Sequence, residues 1–131
     1  MDGLGTAARS DGAADGDTLG LLYSLEFGLQ RRATARLLGV NTAETYGRPP
    51  GHPERLEGEQ HAAFTRAWLA AAHQDRRVAW PLIVEFHGFD KYGRDLAVIR
   101  RRVGGQSLNQ ALVEAFPAVA VPLRNHQPPL R

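Results

Sequence analysis

The chain has 131 residues, 43% of them hydrophobic and 23% charged, with a formal net charge of +2, no cysteine, and a single lysine beside fifteen arginines. That is the size and composition of one ordinary globular domain, so collagen-like repeats and wholesale disorder are excluded. Without cysteine there is no disulfide framework, no thiol nucleophile and no thiolate metal site. No apolar run approaches the about 18 residues of a membrane span. The arginine bias suits phosphate handling, because guanidinium binds phosphate bidentately and is always charged; GC-rich codon usage accounts for it equally well.

In chain order, residues 1–14 are small and rich in Gly and Ala, which predicts a loose tail or one weak edge strand. Residues 18–25 alternate as a strand interrupted by Gly20, Glu26-Phe27-Gly28 turns the chain, and residues 32–40 form a second strand. Residues 47–58, with Pro49, Pro50 and Pro53, read as a long irregular loop. Residues 60–73 predict a helix with Phe64, Ala67, Trp68 and Ala71 on its apolar face. Residues 78–86 and 96–101 read as strands joined by a turn at residues 90–94. A second helix starts at Ser107, capped through Gln110, and stops at Pro117. The tail 124–131 is expected to be irregular. This order predicts a small barrel or antiparallel sheet with packed helices.

Three groups of residues can carry chemistry. Asp15-Gly16-Asp17-Thr18 sets two carboxylates at a strand entry, and Asn41-Thr42-Ala43-Glu44 supplies oxygen ligands and a carboxylate after the second strand. Such oxygens suit a hard cation. Arg36 on the second strand and Arg94 at the end of the 90–94 turn suit a phosphate that gains charge in a transition state. Taken singly, each has a plainer reading: a solvated turn, a surface arginine, a hairpin turn with a glycine.

In their order and spacing, these pieces resemble the staphylococcal nuclease-like (thermonuclease) family. The resemblance rests on Asp15-Gly16-Asp17-Thr18, on residues 35–45 (ARLLGVNTAET), on Phe64-Thr65, on residues 90–97 (DKYGRDLA) and on residues 107–113 (SLNQALV). It covers residues 15–121, and residues 24–28 look like the longer hairpin of phage and bacterial members. It implies an α+β, mainly β fold: a five-stranded OB-fold barrel at residues 14–123 with two packed helices, residues 1–13 being a tail or weak first strand. The third, C-terminal helix of the family is missing from the pattern.

The activity implied is a Ca²⁺-dependent phosphodiesterase cleaving DNA and RNA. Carried over by position, Asp17, Asn41 and Thr42 would bind calcium, Thr42 through its carbonyl. Glu44 would orient or activate water, Arg36 and Arg94 would clamp the phosphate, and Lys91 and Tyr92 would lie near the nucleotide. Asn41 stands where the family has a second aspartate, which weakens the expected pull on Ca²⁺. Ala43 replaces a proline, and Val121, Pro122 and Leu123 stand where nucleotide-contacting tyrosines occur. The alternative is a non-catalytic OB-fold module binding nucleic acid or protein. A cytoplasmic, phage-encoded monomer without a membrane anchor is the expected setting.

The remaining signals have mundane readings. His52, His61, His73, His87 and His126 lack metal spacing, with His61 and His73 expected at the surface or boundary. Arg31-Arg32, Arg76-Arg77 and Arg100-Arg101-Arg102 could follow a nucleic-acid backbone or simply be solvated. Trp68 and Trp80 are expected in the core, and Tyr46 is a candidate for base stacking.

Overall fold

The computed structural model describes residues 5–43, 49 and 51–121. Five strands close into a barrel: β1 (Thr6–Asp15), β2 (Thr18–Ser24), β3 (Gln30–Leu37), β4 (Leu82–Phe89) and β5 (Asp95–Arg101). Helix α1 (Pro53–Ala72) lies between β3 and β4, and α2 (Leu108–Ala115) follows β5. The order around the barrel is β1-β2-β3-β5-β4. All neighbours are antiparallel except β3 and β5, whose parallel register sets Arg36 beside Leu96. The result is the expected α+β, OB-fold-like architecture.

Alternation builds the interior. Leu19, Leu21 and Tyr23 of β2 point inward, as do Ala35 and Leu37 of β3, Leu82 and Val84 of β4, and Ala97 and Ile99 of β5. Trp68 and Leu69 of α1 and Leu108 and Leu112 of α2 close the core from outside the sheet. Burying a leucine or valine stabilises by about 1.5–3 kcal/mol each, so this cluster dominates the fold's stability.

Three sequence expectations change. Residues 1–13 were expected as a tail or weak edge strand, whereas β1 is a full barrel strand, paired to β2 on one side and β4 on the other. Its small residues contribute little beyond the fully buried Ala8; backbone pairing on two sides holds it instead. The 47–58 loop also shortens, because α1 starts at Pro53. Proline in the first turn lacks only an N–H that has no helical partner, and the His52 ring accepts a hydrogen bond from Glu54 N–H (3.1 Å) as the cap. The fourth strand starts at Leu82, directly after Pro81, and not at residue 78.

Helix α2 begins as expected, with Ser107 Oγ accepting from Gln110 N–H (3.1 Å). Asn109 then does more than fill a helical position. Its Oδ1 accepts from Ile99 N–H (3.1 Å), and its Nδ2 donates to the carbonyls of Leu38 (2.8 Å) and Ala97 (3.0 Å). The buried amide therefore fastens α2 to β5 and to the exit of β3. Among the described residues no helix is long and apolar enough to cross a membrane. Residues 124–131, expected to form an irregular tail, lie outside the described residues, as does most of the region where a third helix was expected to be missing.

Candidate functional site

The tight β1–β2 turn carries Asp17 into a buried position, 4% exposed. Gly16 makes this possible: a Cβ there would lie 2.7 Å from His61 Cβ and 2.9 Å from Thr42 Cγ2, closer than real side chains approach. Thr65 Oγ1 on α1 donates to the Gly16 carbonyl, and Leu37 N–H donates to the Asp17 carbonyl (2.9 Å). The turn is thus held by the helix on one side and β3 on the other, which excludes the solvated-turn reading.

Asp17 is the hub of the site. Its Oδ1 accepts from Thr18 Oγ1 (3.0 Å), and its Oδ2 accepts from Thr42 N–H (2.9 Å) and forms an ion pair with Arg36 Nη1. Arg36, at the end of β3, also donates to the Val40 carbonyl and to Asn41 Oδ1, both at 3.0 Å. One guanidinium therefore spans Asp17 and Asn41. The Asn41 backbone is fixed from behind, its N–H donating to the Val119 carbonyl (2.8 Å) beside the Val40–Ala120 bridge.

The two remaining features of this segment were not legible beforehand. Among the described residues Thr42 Oγ1 is buried with no hydrogen-bond partner, a cost of about 1–3 kcal/mol that a bound ligand would relieve. His61, expected at the surface or boundary, is 3% exposed, and its Nδ1 accepts from Ala43 N–H (3.1 Å). The ring packs edge-on against Phe116, with centroids 4.6 Å apart. Burial pushes its imidazole below the ordinary value, against the opposing pull of Glu57 and Asp17. A helical histidine two positions after an exposed glutamate carries no signal of this; only the Gly16 contact, unreadable from sequence, brings α1 close enough.

Arg94, Lys91 and Tyr92 form a second cluster on the β4–β5 turn. Asp90 fixes it, accepting from the N–H groups of Tyr92 (2.8 Å) and Arg94 (2.9 Å) and from Arg94 Nε (2.6 Å). Burial would raise the Asp90 carboxyl, yet these hydrogen bonds hold it below its usual value. The exposed Tyr92 ring lies between two cations, 5.2 Å from Lys91 Nζ and 5.3 Å from the Arg94 guanidinium. The β3–β5 register sets Leu96, two residues after Arg94, beside Arg36. The Arg94 guanidinium is nevertheless bonded to Asp90 and does not touch the Asp17 hub.

Of the eight expected site residues, Asp17, Arg36, Asn41 and Thr42 converge, and Lys91, Tyr92 and Arg94 gather separately on the β4–β5 turn. Glu44 lies outside the described residues, as does Tyr46.

The donor set tests whether a cation fits. Every oxygen at the hub is hard, and the unpartnered Thr42 hydroxyl and the half-open Asn41 amide are the kinds of donors that calcium accepts. Among the described residues Asp17 supplies the one carboxylate at the hub, and no three His, Cys, Asp or Glu side chains converge on a metal position. The hub fits a weakly held hard cation better than a tight one. Comparison with protein-family models gives no match, and comparison with curated proteins gives none either.

Proposed function

We propose that this protein is a calcium-dependent nuclease that hydrolyses phosphodiester bonds of DNA and RNA, acting as a monomer. The observation that carries the reading is the convergence of Asp17, Arg36, Asn41 and Thr42, four residues from two separate stretches of chain that share one hydrogen-bonded hub. Asp17, Asn41 and Thr42 would hold the cation through oxygen. Calcium, when bound, supplies positive charge that offsets the diester anion and polarises phosphorus.

The other roles belong to the chain. Arg36 donates to the non-bridging oxygens, and its fork makes it a better partner as those oxygens gain charge. Arg94 closes on the same phosphate from the neighbouring turn, releasing Asp90. Glu44 accepts a proton from the attacking water, whose oxygen bonds to phosphorus as one P–O ester bond breaks and the leaving oxygen takes up a proton. Lys91 and Tyr92 bind the adjacent nucleotide.

Purified protein is expected to degrade DNA with calcium present and to stop on chelation. Absence of cleavage by a clean preparation with any divalent cation overturns the reading.

Two ion pairs favour the second reading, a non-catalytic OB-fold module for nucleic acid or protein. Arg36 already occupies the Asp17 oxygen that a cation needs, and Asp90 holds Arg94 away from the hub. Such a module binds nucleic acid in a salt-dependent, calcium-indifferent manner.

A further inference from the structure

At the pole of the barrel far from Arg36, α1 ends and β5 meets the start of β4. Strand β5 runs from Asp95, beside Ala35, to Arg101, beside Leu82. At about 3.3 Å per residue, its two ends are about 20 Å apart. A groove of 560 Å³ opens there, with Ala72, Val78 and Pro81 among its apolar lining and Arg77, Arg101 and Arg102 as its cations. The exposed Arg76 adjoins it in sequence.

Charge at this groove is poorly balanced. Among the described residues only Arg77 has a carboxylate partner, Asp75, through Nε (3.0 Å) and Nη2 (3.1 Å). Arg101 and Arg102 meet only neutral carbonyls, those of Trp68 and Trp80, both at 3.4 Å. Arg101 Nε is buried with no hydrogen-bond partner, although the guanidinium lies 4.6 Å from the Trp68 ring centre. Asp75 offsets Arg77, and the negative end of α1 adds only about half a unit against Arg101 and Arg102.

We propose that this groove is a second binding site, one that takes the sugar-phosphate backbone of nucleic acid about 20 Å from the Arg36 hub. The inference rests on the reading that nucleic acid is the substrate, and it assigns the groove a hold on chain segments away from the scissile bond. Guanidiniums on neutral carbonyls keep their charge available to a phosphate. Arg76, Arg77 and Arg102, being exposed, meet the backbone without rearrangement of the barrel.

The test measures affinity for a fluorescein-labelled DNA duplex in chelator across a salt series, so that no cleavage is needed. Arg76→Gln/Arg102→Gln should lower the log–log salt slope by about two and weaken low-salt binding at least about tenfold. Arg55→Gln/Arg66→Gln removes equal charge from another face of α1 and should leave the slope unchanged. An unchanged slope for the groove variant, or an equal fall for the control, overturns the proposal. So does wild-type protein that binds phosphatidylglycerol vesicles but not DNA. Cleavage with an unchanged slope removes this inference alone, whereas a reduced slope without cleavage removes the nuclease reading and leaves the groove standing.

Discussion

Two aspartate–arginine pairs sit on the same barrel and do different things. Asp95, at the start of β5, is 1% exposed and has a closed set of partners: Tyr23 Oη donates to Oδ2 (2.8 Å), and Arg31 donates to both oxygens (2.8 and 3.0 Å). Burial first, and the Asp95 anion second, push the Tyr23 phenol above its ordinary value, while Arg31 is raised chiefly by its hydrogen bonds to Asp95. Asp17 is nearly as buried and is likewise paired with an arginine. Its surroundings are open, however: an unpartnered hydroxyl at Thr42, an exposed Asn41 amide, and a guanidinium that also reaches past the carboxylate to two other acceptors. A closed ion pair fixes strands against one another; one left with spare donors and acceptors can exchange partners. Burial and pairing are common to both pairs, and the unfilled valences are what differ.

The strongest way to break that contrast is to delete each arginine. Arg31→Ala leaves the Asp95 carboxylate buried with only Tyr23, and should cost about 2–3 kcal/mol in urea unfolding. No calcium dependence is expected of that loss. Arg36→Ala should behave in the opposite sense: it frees an Asp17 oxygen, so calcium should raise its melting temperature more than it raises that of the wild type. Equal calcium responses from Arg36→Ala and the wild type would erase the distinction. Tyr23→Phe is a smaller probe of the closed pair, with an expected loss of about 1–2 kcal/mol by the same unfolding measurement.

His61 sharpens the comparison from the side of pH. Its proton affinity in the fold lies below the ordinary value, so the unfolded chain binds the proton more readily. Its contribution is therefore complete above about pH 6.5 and is lost as pH falls from there toward the folded-state value. Thermal melts should drop on acidification through that window, and His61→Gln should flatten the drop; an unaltered profile would remove His61 from the account. The smallest expected effect is at Asn41. Asn41→Asp restores a second carboxylate and should tighten calcium binding in calorimetry, and an unchanged affinity would count against its place at the hub.

The sequence carried more of this site than of its supports. Asp17, Arg36, Asn41 and Thr42 could be named because the family resemblance rests on short local motifs, whereas each motif alone had a plainer reading; the Asp90–Arg94 turn was legible from its glycine and aspartate. Alternation in β2, β3 and β5 left a small barrel or an antiparallel sheet open, and the family resemblance pointed to the barrel. What escaped is non-local. Strand β1 has too few large side chains to read as more than a tail or weak strand; pairing with β2 and β4, and hydrogen bonds from Ser10 to His73 and from Arg66 to Ala13, hold it in the barrel. Asn109 and His61 look like ordinary helical residues until α2 and α1 are docked, when one satisfies three backbone groups and the other holds Ala43. The start of α1 was hidden by Pro53, which breaks a helix anywhere except in its first turn. The closed Asp95 pair joins residues 64 and 72 positions apart, beyond the reach of any local pattern.

The central claim is that the Asp17–Arg36 hub performs phosphodiester hydrolysis. Its most direct test is the initial rate of cleavage of a labelled DNA oligonucleotide in saturating calcium, for wild type and Arg36→Ala purified side by side. A rate lower by at least about a hundredfold in the variant, with the wild-type rate abolished by chelator, is the predicted result. Equal rates from the two preparations, or wild-type cleavage that persists in chelator, would contradict it.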